Sequence, residues 1–226
     1  MDLGGSPWSK PEGMGKKVTM HRLIRPVLVS LLALSIGGCA SSKPIRYYTI
    51  QFPAAPTVPA GSQTESLLVA PVSGPAIFRN TPIAFRMGPN EIGTYQYSQW
   101  AQPPVEIVQM NLIRLLRASG NYQSVASLGS TSNGLYVVRG RLYDFQEVDG
   151  ASISALVSME FDLYERKTGK VVWSHYYSQS EPVQGKEMSA IVSALDTNLD
   201  RGLKEVAAGL SQYFLSNPAS KTVASR

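Results

Sequence analysis

Residues 134–167, GLYVVRGRLYDFQEVDGASISALVSMEFDLYERK, decide the fold class of this 226-residue chain. Apolar and polar residues alternate along the second half, which is typical of a strand with one buried and one wetter face. Asp149-Gly150 separates the halves and predicts a two-residue hairpin turn between strands 134–148 and 151–167. The buried face is predicted to carry Ile153, Ala155, Val157, Met159, Phe161 and Leu163, and the wetter face Ser152, Ser154, Ser158, Glu160 and Asp162.

Shorter strand patterns flank this hairpin. Gly88-Pro89-Asn90 and Thr168-Gly169 are turn signals between neighbouring apolar runs. Alternation over residues 47–52 predicts an additional edge strand ahead of them. The other strand predictions are LLVAPV (67–72), TPIAFRMG (81–88), EIGTYQYSQW (91–100) and KVVWSHYYSQS (170–180).

Two segments have helical periodicity instead. The first, AQPPVEIVQMNLIRLLRASG (101–120), begins with a proline pair, which suits a first helical turn, and ends at Gly120, a natural C-terminal cap. The second places apolar residues along one side from Met188 to Phe214 and stops before Asn217-Pro218. Two amphipathic helices and a mostly antiparallel sheet predict an α+β domain of two layers.

An apolar run over residues 27–36 follows Arg22 and Arg25 and ends in two glycines. At about ten residues it is too short to span a bilayer, which takes about 20. Basic residues, an apolar centre and a small-residue exit are typical of a secretory signal peptide. The alternative is a short buried helix of the mature fold, which the position near the N-terminus disfavours.

Cys39 is the only cysteine of the chain and directly follows this run. Ile36-Gly37-Gly38-Cys39 resembles the bacterial lipobox, which implies cleavage between Gly38 and Cys39 and a diacylglycerol and an N-acyl chain on Cys39. Two or more acyl chains anchor a protein stably. The alternative is an intermolecular disulfide. Ala40 is not the aspartate of an inner-membrane retention signal, so the periplasmic leaflet of the outer membrane is the expected location.

The sequence thus divides into four parts. Residues 1–38 are predicted to be the signal peptide, and because Met20 offers a second start, residues 1–19 are an extended leader or a misassigned start. Residues 39–66 are predicted to be a lipid-anchored tether and proline-rich connector, residues 67–216 the folded domain, and residues 217–226 a frayed tail. The mature part holds 16 basic and 14 acidic residues, a net charge of +2 that gives no support for nucleic-acid binding.

No enzyme motif is found in the mature part, and we predict that the protein is not an enzyme. His175 is its only histidine, so a zinc site of the usual His/Cys type cannot be assembled from one chain. His175 is expected to be a half-exposed strand residue rather than a catalytic base. Asp144, Glu147 and Asp149 lack any specific spacing, and are expected at a solvated strand end rather than in a hydrolase site.

Tyr95, Tyr97 and Trp100 are crowded just before the first helix. Aromatic side chains with a polar tip either fill a core edge or line a binding surface. Composition alone favours the core edge. The functional hypothesis is that the three residues form a docking or oligomer surface.

The order of segments resembles the ABC-type transport auxiliary lipoprotein family, of the PqiC/YmbA type. The matching segments are the lipobox, RYYTI (46–50), LLVAPVSGP (67–75), IAFR (83–86), YSQWAQPP (97–104) and a helix ending RASG (117–120). The resemblance implies a fold similar to the TolB N-terminal domain and no bound cofactor beyond the acyl chains. It also implies an outer-membrane-anchored partner of a periplasmic MCE-type protein, coupled to an inner-membrane permease and ATPase that transport lipid or another hydrophobic compound.

Two other functions are compatible with parts of the sequence. A lipoprotein that regulates an envelope enzyme, such as a cell-wall synthase activator, would share the anchor and a similar small fold. A periplasmic hydrolase would need His175 as its base and is the least favoured of the three.

Overall fold

The structure is a computed structural model that describes residues 43–51 and 65–217. The described strands and helices belong to the unit Pro44–Arg226. The predicted signal peptide, the lipobox with Cys39, most of the proline-rich connector and the tail after Asn217 lie outside the described residues.

The described residues form eight strands and two α-helices. The strands are β1 (Arg46–Tyr48), β2 (Ser66–Val69), β3 (Pro82–Gly88), β4 (Glu91–Trp100), β5 (Ser124–Ser127), β6 (Tyr136–Val148), β7 (Ser154–Glu165) and β8 (Lys170–Pro182). The helices are α1 (Pro104–Ala118) and α2 (Met188–Ser216), and a short 3-10 helix spans Ala76–Arg79. Each strand and helix predicted above is therefore present.

All eight strands belong to one mixed sheet in which β6 is central. One edge of β6 pairs antiparallel with β7 along its length, and β7 pairs antiparallel with β8. The other edge is shared, because β2 pairs parallel with the start of β6 and β3 pairs parallel with its end. β5 lies outside β2, and β4 and then β1 lie outside β3. The longest pairings are antiparallel, which confirms the predicted sheet class.

The turn between β6 and β7 differs from the prediction. Val148 pairs with Ser154, so the loop has five residues. The prediction of a two-residue turn at Asp149-Gly150 is therefore wrong. The backbone N–H of Asp149 donates to the carbonyl of Arg86 at 2.9 Å. This bond extends the pairing of β6 with β3 by one residue and takes Asp149 out of the turn. The predicted turn at Thr168-Gly169 is present, with Gly169 at a φ of +72°.

Both helices pack on one face of the sheet and complete a two-layer α+β domain. The predicted apolar stripe of α1 is buried at Val108, Leu112 and Leu116, and α1 ends before Gly120, whose φ of +66° suits the glycine cap. The stripe of α2 is buried from Ile191 to Leu210. The sheet residues beneath include Leu142, Phe145, Val157, Met159, Phe161 and Leu163, all fully buried.

A buried amide fixes α2 on the sheet. Asn198 has no exposed surface, and its Nδ2 donates to the carbonyls of Ala155 and Gln179 at 2.9 Å and 2.7 Å. The hydroxyl of Tyr177 donates to Asn198 Oδ1 at 2.6 Å. One side chain of α2 thus bonds to both β7 and β8, and buried amides that are satisfied in this way specify one packing geometry.

The folded unit begins earlier than predicted. β1 pairs parallel with the end of β4, and Ile50 is 2% exposed within the core. The domain therefore starts near Pro44 and not at Leu67. In sequence, the proline-rich segment then connects β1 to β2 within one domain, and does not separate the anchor from the domain as predicted. The cause is that β1 gains its partner from a strand about 50 residues away, which local sequence patterns do not reveal.

Candidate functional site

The predicted aromatic surface does not form as a unit, because Trp100 lies in the core. Trp100 has no exposed surface and its ring packs against Phe145 with centroids 5.3 Å apart. As the last residue of β4 it lies in the sheet between β1 and β3, paired with Tyr48. Its assignment to a docking or oligomer surface is therefore wrong, and the core interpretation holds for this residue.

Tyr95 is partly buried and has a structural partner. Its hydroxyl donates to Glu147 Oε2 at 2.6 Å, and its ring lies 4.9 Å from that of Phe85. Burial, and then the hydrogen bond to the Glu147 carboxylate, raise the pKa of Tyr95 well above its usual value. The tyrosine thus satisfies a carboxylate that is only 4% exposed. Tyr97 is half-buried, and its role in docking stays a prediction.

We expect Tyr95→Phe to lower the free energy of unfolding by about 1–3 kcal/mol, because Glu147 would lose its hydroxyl donor while staying buried. Since the Tyr95 pKa is raised in the folded protein, the advantage of the wild type is complete below about pH 10 and declines above it. Urea unfolding of both proteins at neutral pH measures the difference. Equal midpoints and slopes would show that the hydrogen bond contributes nothing to stability.

The structure confirms that His175 is a partly exposed strand residue. Its ring stacks on Trp173 with centroids 6.0 Å apart, and its Nε2 lies 3.5 Å from Glu205 Oε2 of α2. The histidine therefore contributes to the seam between β8 and α2.

The three carboxylates near the β6–β7 loop have separate surroundings. Asp144 Oδ1 accepts hydrogen bonds from Arg86 and Gln146, while Glu147 accepts from Tyr95. Asp149 is exposed in the loop. The three side chains thus make no shared carboxylate pair of the kind that a hydrolase uses.

Two findings bear on other kinds of site within residues 43–51 and 65–217. No group of three or more His, Cys, Asp or Glu side chains there could hold a metal ion. In the same ranges, every helix is too short or too polar to cross a bilayer.

The face of the sheet that points away from the helices is the candidate functional site, and we call it the open face. We define it by Arg139 and Arg141 of β6, Glu160 and Asp162 of β7, and Tyr176 of β8, together with their neighbours on the same side. Cross-strand pairing places Arg141 beside Glu160 and Glu160 beside Tyr176. Among the described residues no helix covers this face, and Tyr176 is 61% exposed.

Side chains of the open face are held by hydrogen bonds and ring contacts. Tyr143 donates to Glu160 Oε2 at 2.6 Å, and its ring lies 6.1 Å from that of Tyr176. The Arg139 guanidinium lies 4.1 Å from the ring centroid of Tyr164, and both arginines are exposed. Ordered tyrosine and arginine side chains are enriched in protein interfaces and their energetic centres. The open face therefore has the chemistry of a protein-binding surface.

The open face continues to an unpaired strand edge. Within the described residues β8 pairs only with β7, so one edge of this 13-residue strand is free. A free strand edge offers backbone donors and acceptors to another chain. The alternation along β7 already marks Glu160 and Asp162 as the wetter face, but it does not show that β8 is the last strand.

Sequence comparison gives a family match across the domain. The model of a family described as the ABC-type transport auxiliary lipoprotein component matches residues 48–207. The match runs from the last residue of β1 into the C-terminal half of α2. No curated protein shows significant sequence similarity to the chain.

Solved structures share the fold. Protein XCC0632 from Xanthomonas campestris, of the DUF330 family, is similar with a TM-score of 0.67 and 21% identity, over 76% of this chain and 98% of that one. An uncharacterised protein is similar with a TM-score of 0.60 and 12% identity, over 74% of this chain and 99% of its own. The PelC dodecamer from Paraburkholderia phytofirmans has a TM-score of 0.39 and 16% identity, over 65% and 91% of the two chains.

Proposed function

The chain belongs to the ABC-type transport auxiliary lipoprotein family, and from that membership we propose that it is a non-catalytic component of an envelope transport system. The system would be of the MCE type and would move lipid or another hydrophobic compound across the periplasm. The family match over 160 consecutive residues is the observation that carries this proposal. ATP hydrolysis would be performed by another subunit.

The proposed anchor is Cys39, with a diacylglycerol and an N-acyl chain. The family is one of lipoproteins, and the residues before Cys39 have the lipobox pattern. Two or more chains hold a protein on a membrane far more stably than one. The residue after Cys39 favours the outer membrane, so the domain would face the periplasm from its inner leaflet.

The proposed partner is the periplasmic MCE-type protein, and the proposed contact surface is the open face. Tyr143 and Tyr176 supply apolar area with polar tips, and Arg141 lies beside them with its charge exposed. A fixed tyrosine pair costs little conformational entropy when a partner covers it. We therefore expect the MCE-type protein to contact the open face.

Site-specific crosslinking in the living cell tests the proposal. A photoreactive amino acid replaces Tyr176 in the full-length chain, and the same amino acid replaces Leu128 in a matched control. Leu128 is 41% exposed and follows β5, at the other edge of the sheet from β8. We expect a crosslink to an MCE-type protein from position 176 and a much weaker one from position 128.

Other outcomes would contradict parts of the proposal. A crosslink from position 176 to a cell-wall synthase would overturn it in favour of a regulatory lipoprotein. A crosslink to a second copy of the chain would make the open face an oligomer surface, and the assigned partner contact would be wrong. Native mass spectrometry of the purified protein tests the anchor, since a free thiol on an uncleaved chain would exclude the lipoprotein assignment.

A further inference from the structure

The chain from Cys39 to the first strand is short. β1 is part of the sheet from Arg46 onward, so only residues 40–45 separate it from the proposed anchor. Fully extended, the seven steps from Cys39 to Arg46 span at most about 25 Å between Cα atoms. An acylated Cys39 would therefore hold the β1 side of the domain close to the bilayer.

Strand direction shows which end of the sheet this chain approaches. β1 runs parallel to β4, with Arg46 opposite Ser98, and β4 starts at the tight turn that follows β3. The first residue of β1 therefore points towards the end of the sheet that carries the β3–β4 turn. We call residues 87–92, which form this turn and its flanks, the hairpin tip.

The reach of the chain only just exceeds the length of the hairpin. Pro82 pairs with Gln99, next to the residue that faces Arg46. From Pro82 to Gly88 at the turn, six steps along a strand cover about 20 Å. The greatest reach of about 25 Å from Arg46 therefore extends as far as the hairpin tip.

The hairpin tip carries exposed apolar side chains, as expected for a part of the domain that touches a membrane. Met87 is 57% exposed and Ile92 is 43% exposed, one on each side of the turn. Ile45, on the chain that enters β1, is 46% exposed. Apolar side chains of this kind gain free energy by entering the headgroup region of a membrane, and nearby basic residues are attracted to anionic lipids. Arg46 is exposed beside Ile45, while Glu91 at the turn is an exposed acidic residue.

Both ends of the domain have exposed apolar residues, so exposure alone does not show which end contacts the membrane. Leu135 and Leu215 are 62% and 82% exposed at the opposite end, where β6 begins and α2 finishes. The strand pairings place Arg46 about level with Asp144, and nine steps along β6 from there to Leu135 cover about 30 Å. The greatest reach of the chain from Arg46, about 25 Å, is shorter than that.

We infer that the hairpin tip rests on the phospholipid surface, with Met87 and Ile92 in the headgroup region and the open face left free for a protein partner. This inference depends on the acylation of Cys39 in the proposed function. It gives the domain a fixed orientation on the membrane, whereas a long flexible tether would not.

Fluorescent labelling of the lipidated full-length protein tests the orientation. Because the native cysteine is acylated, a cysteine introduced by Met87→Cys or Ile92→Cys is the single reactive thiol. Leu128→Cys is the matched control, since Leu128 is similarly exposed and distant from the hairpin tip. Each variant carries a polarity-sensitive dye and is reconstituted into phosphatidylethanolamine and phosphatidylglycerol vesicles.

We expect the labels at positions 87 and 92 to emit at shorter wavelength and to be quenched severalfold less by iodide than the label at position 128. If the protein floats with the vesicles but all three labels are quenched equally, the anchor stands and the orientation is wrong. If the protein does not float and Cys39 is unmodified, the lipoprotein part of the proposed function fails and the orientation fails with it.

Discussion

Trp100→Ala is expected to lower the free energy of unfolding by about 3–5 kcal/mol, the range for removal of a large buried aromatic side chain. Trp100 has no exposed surface, and it packs between β1 and the core ring of Phe145. Its removal leaves a cavity beside the Phe145 ring. In a domain of this size the melting temperature should fall by about 6–20 °C.

Two matched variants separate packing from other effects of the substitution. Trp100→Phe keeps a ring against Phe145 and removes only part of the buried volume, so it should cost clearly less than Trp100→Ala. No hydrogen bond should be lost, because Trp100 Nε1 has no partner among the described residues. Tyr47→Ala removes an aromatic side chain that is 65% exposed, and should change stability by about 0.5 kcal/mol at most.

Thermal and urea unfolding measure these differences, and co-purification of the partner provides the second readout. If Trp100→Ala left stability unchanged but abolished binding of the partner, Trp100 would have to belong to a binding surface. That result would contradict the burial in this structure.

The same residue shows how far local sequence patterns could predict the site. Its neighbours Tyr95 and Tyr97 alternate with polar residues, so the pattern correctly predicts a strand. Which of its residues are buried depends on the elements packed around the strand, and one of them, β1, pairs with it from about 50 residues away. Parallel pairing over such a separation is decided by the whole fold, and for that reason both the surface assignment and the start of the domain were mispredicted.

The helices and the long strands could be predicted because their patterns are local. The stripes of α1 and α2 and the alternation in β7 repeat over three or more turns or pairs, so each buried face is defined within its own segment. The polar members of β7 already indicate the open face. The ordered contact of Tyr143 with Tyr176 depends on β8 and required the structure.

Asn198→Asp is the second substitution with a large expected effect. The change preserves the shape of the side chain, but an aspartate oxygen would replace the Nδ2 that donates to the carbonyls of Ala155 and Gln179. Three oxygen atoms would then face one another in a site without exposed surface. A buried carboxylate that faces two carbonyls costs about 3–5 kcal/mol at neutral pH, even with the Tyr177 hydroxyl still donating to its other oxygen.

The loss should depend on pH with a definite sign. Burial and the two carbonyls should raise the pKa of the introduced aspartate in the folded protein above about 3.9, its value in the unfolded chain. The folded state then binds the proton more tightly, so the penalty is smallest below about pH 4 and grows as the pH rises towards the folded pKa. This direction is the reverse of ordinary acid denaturation by loss of carboxylate partners.

Urea unfolding of Asn198→Asp and wild type, at about pH 4 and at neutral pH, measures the difference between the two penalties. The matched control is Asn133→Asp, the same substitution at an exposed loop position, which should change stability by about 0.5 kcal/mol at most. A protonated aspartate can donate one hydrogen bond where the amide donated two, so acid should restore part of the loss. If the penalty is equal at both pH values, or no larger than that of Asn133→Asp, then Asn198 does not fix α2 on β7 and β8 in the way that its hydrogen bonds indicate.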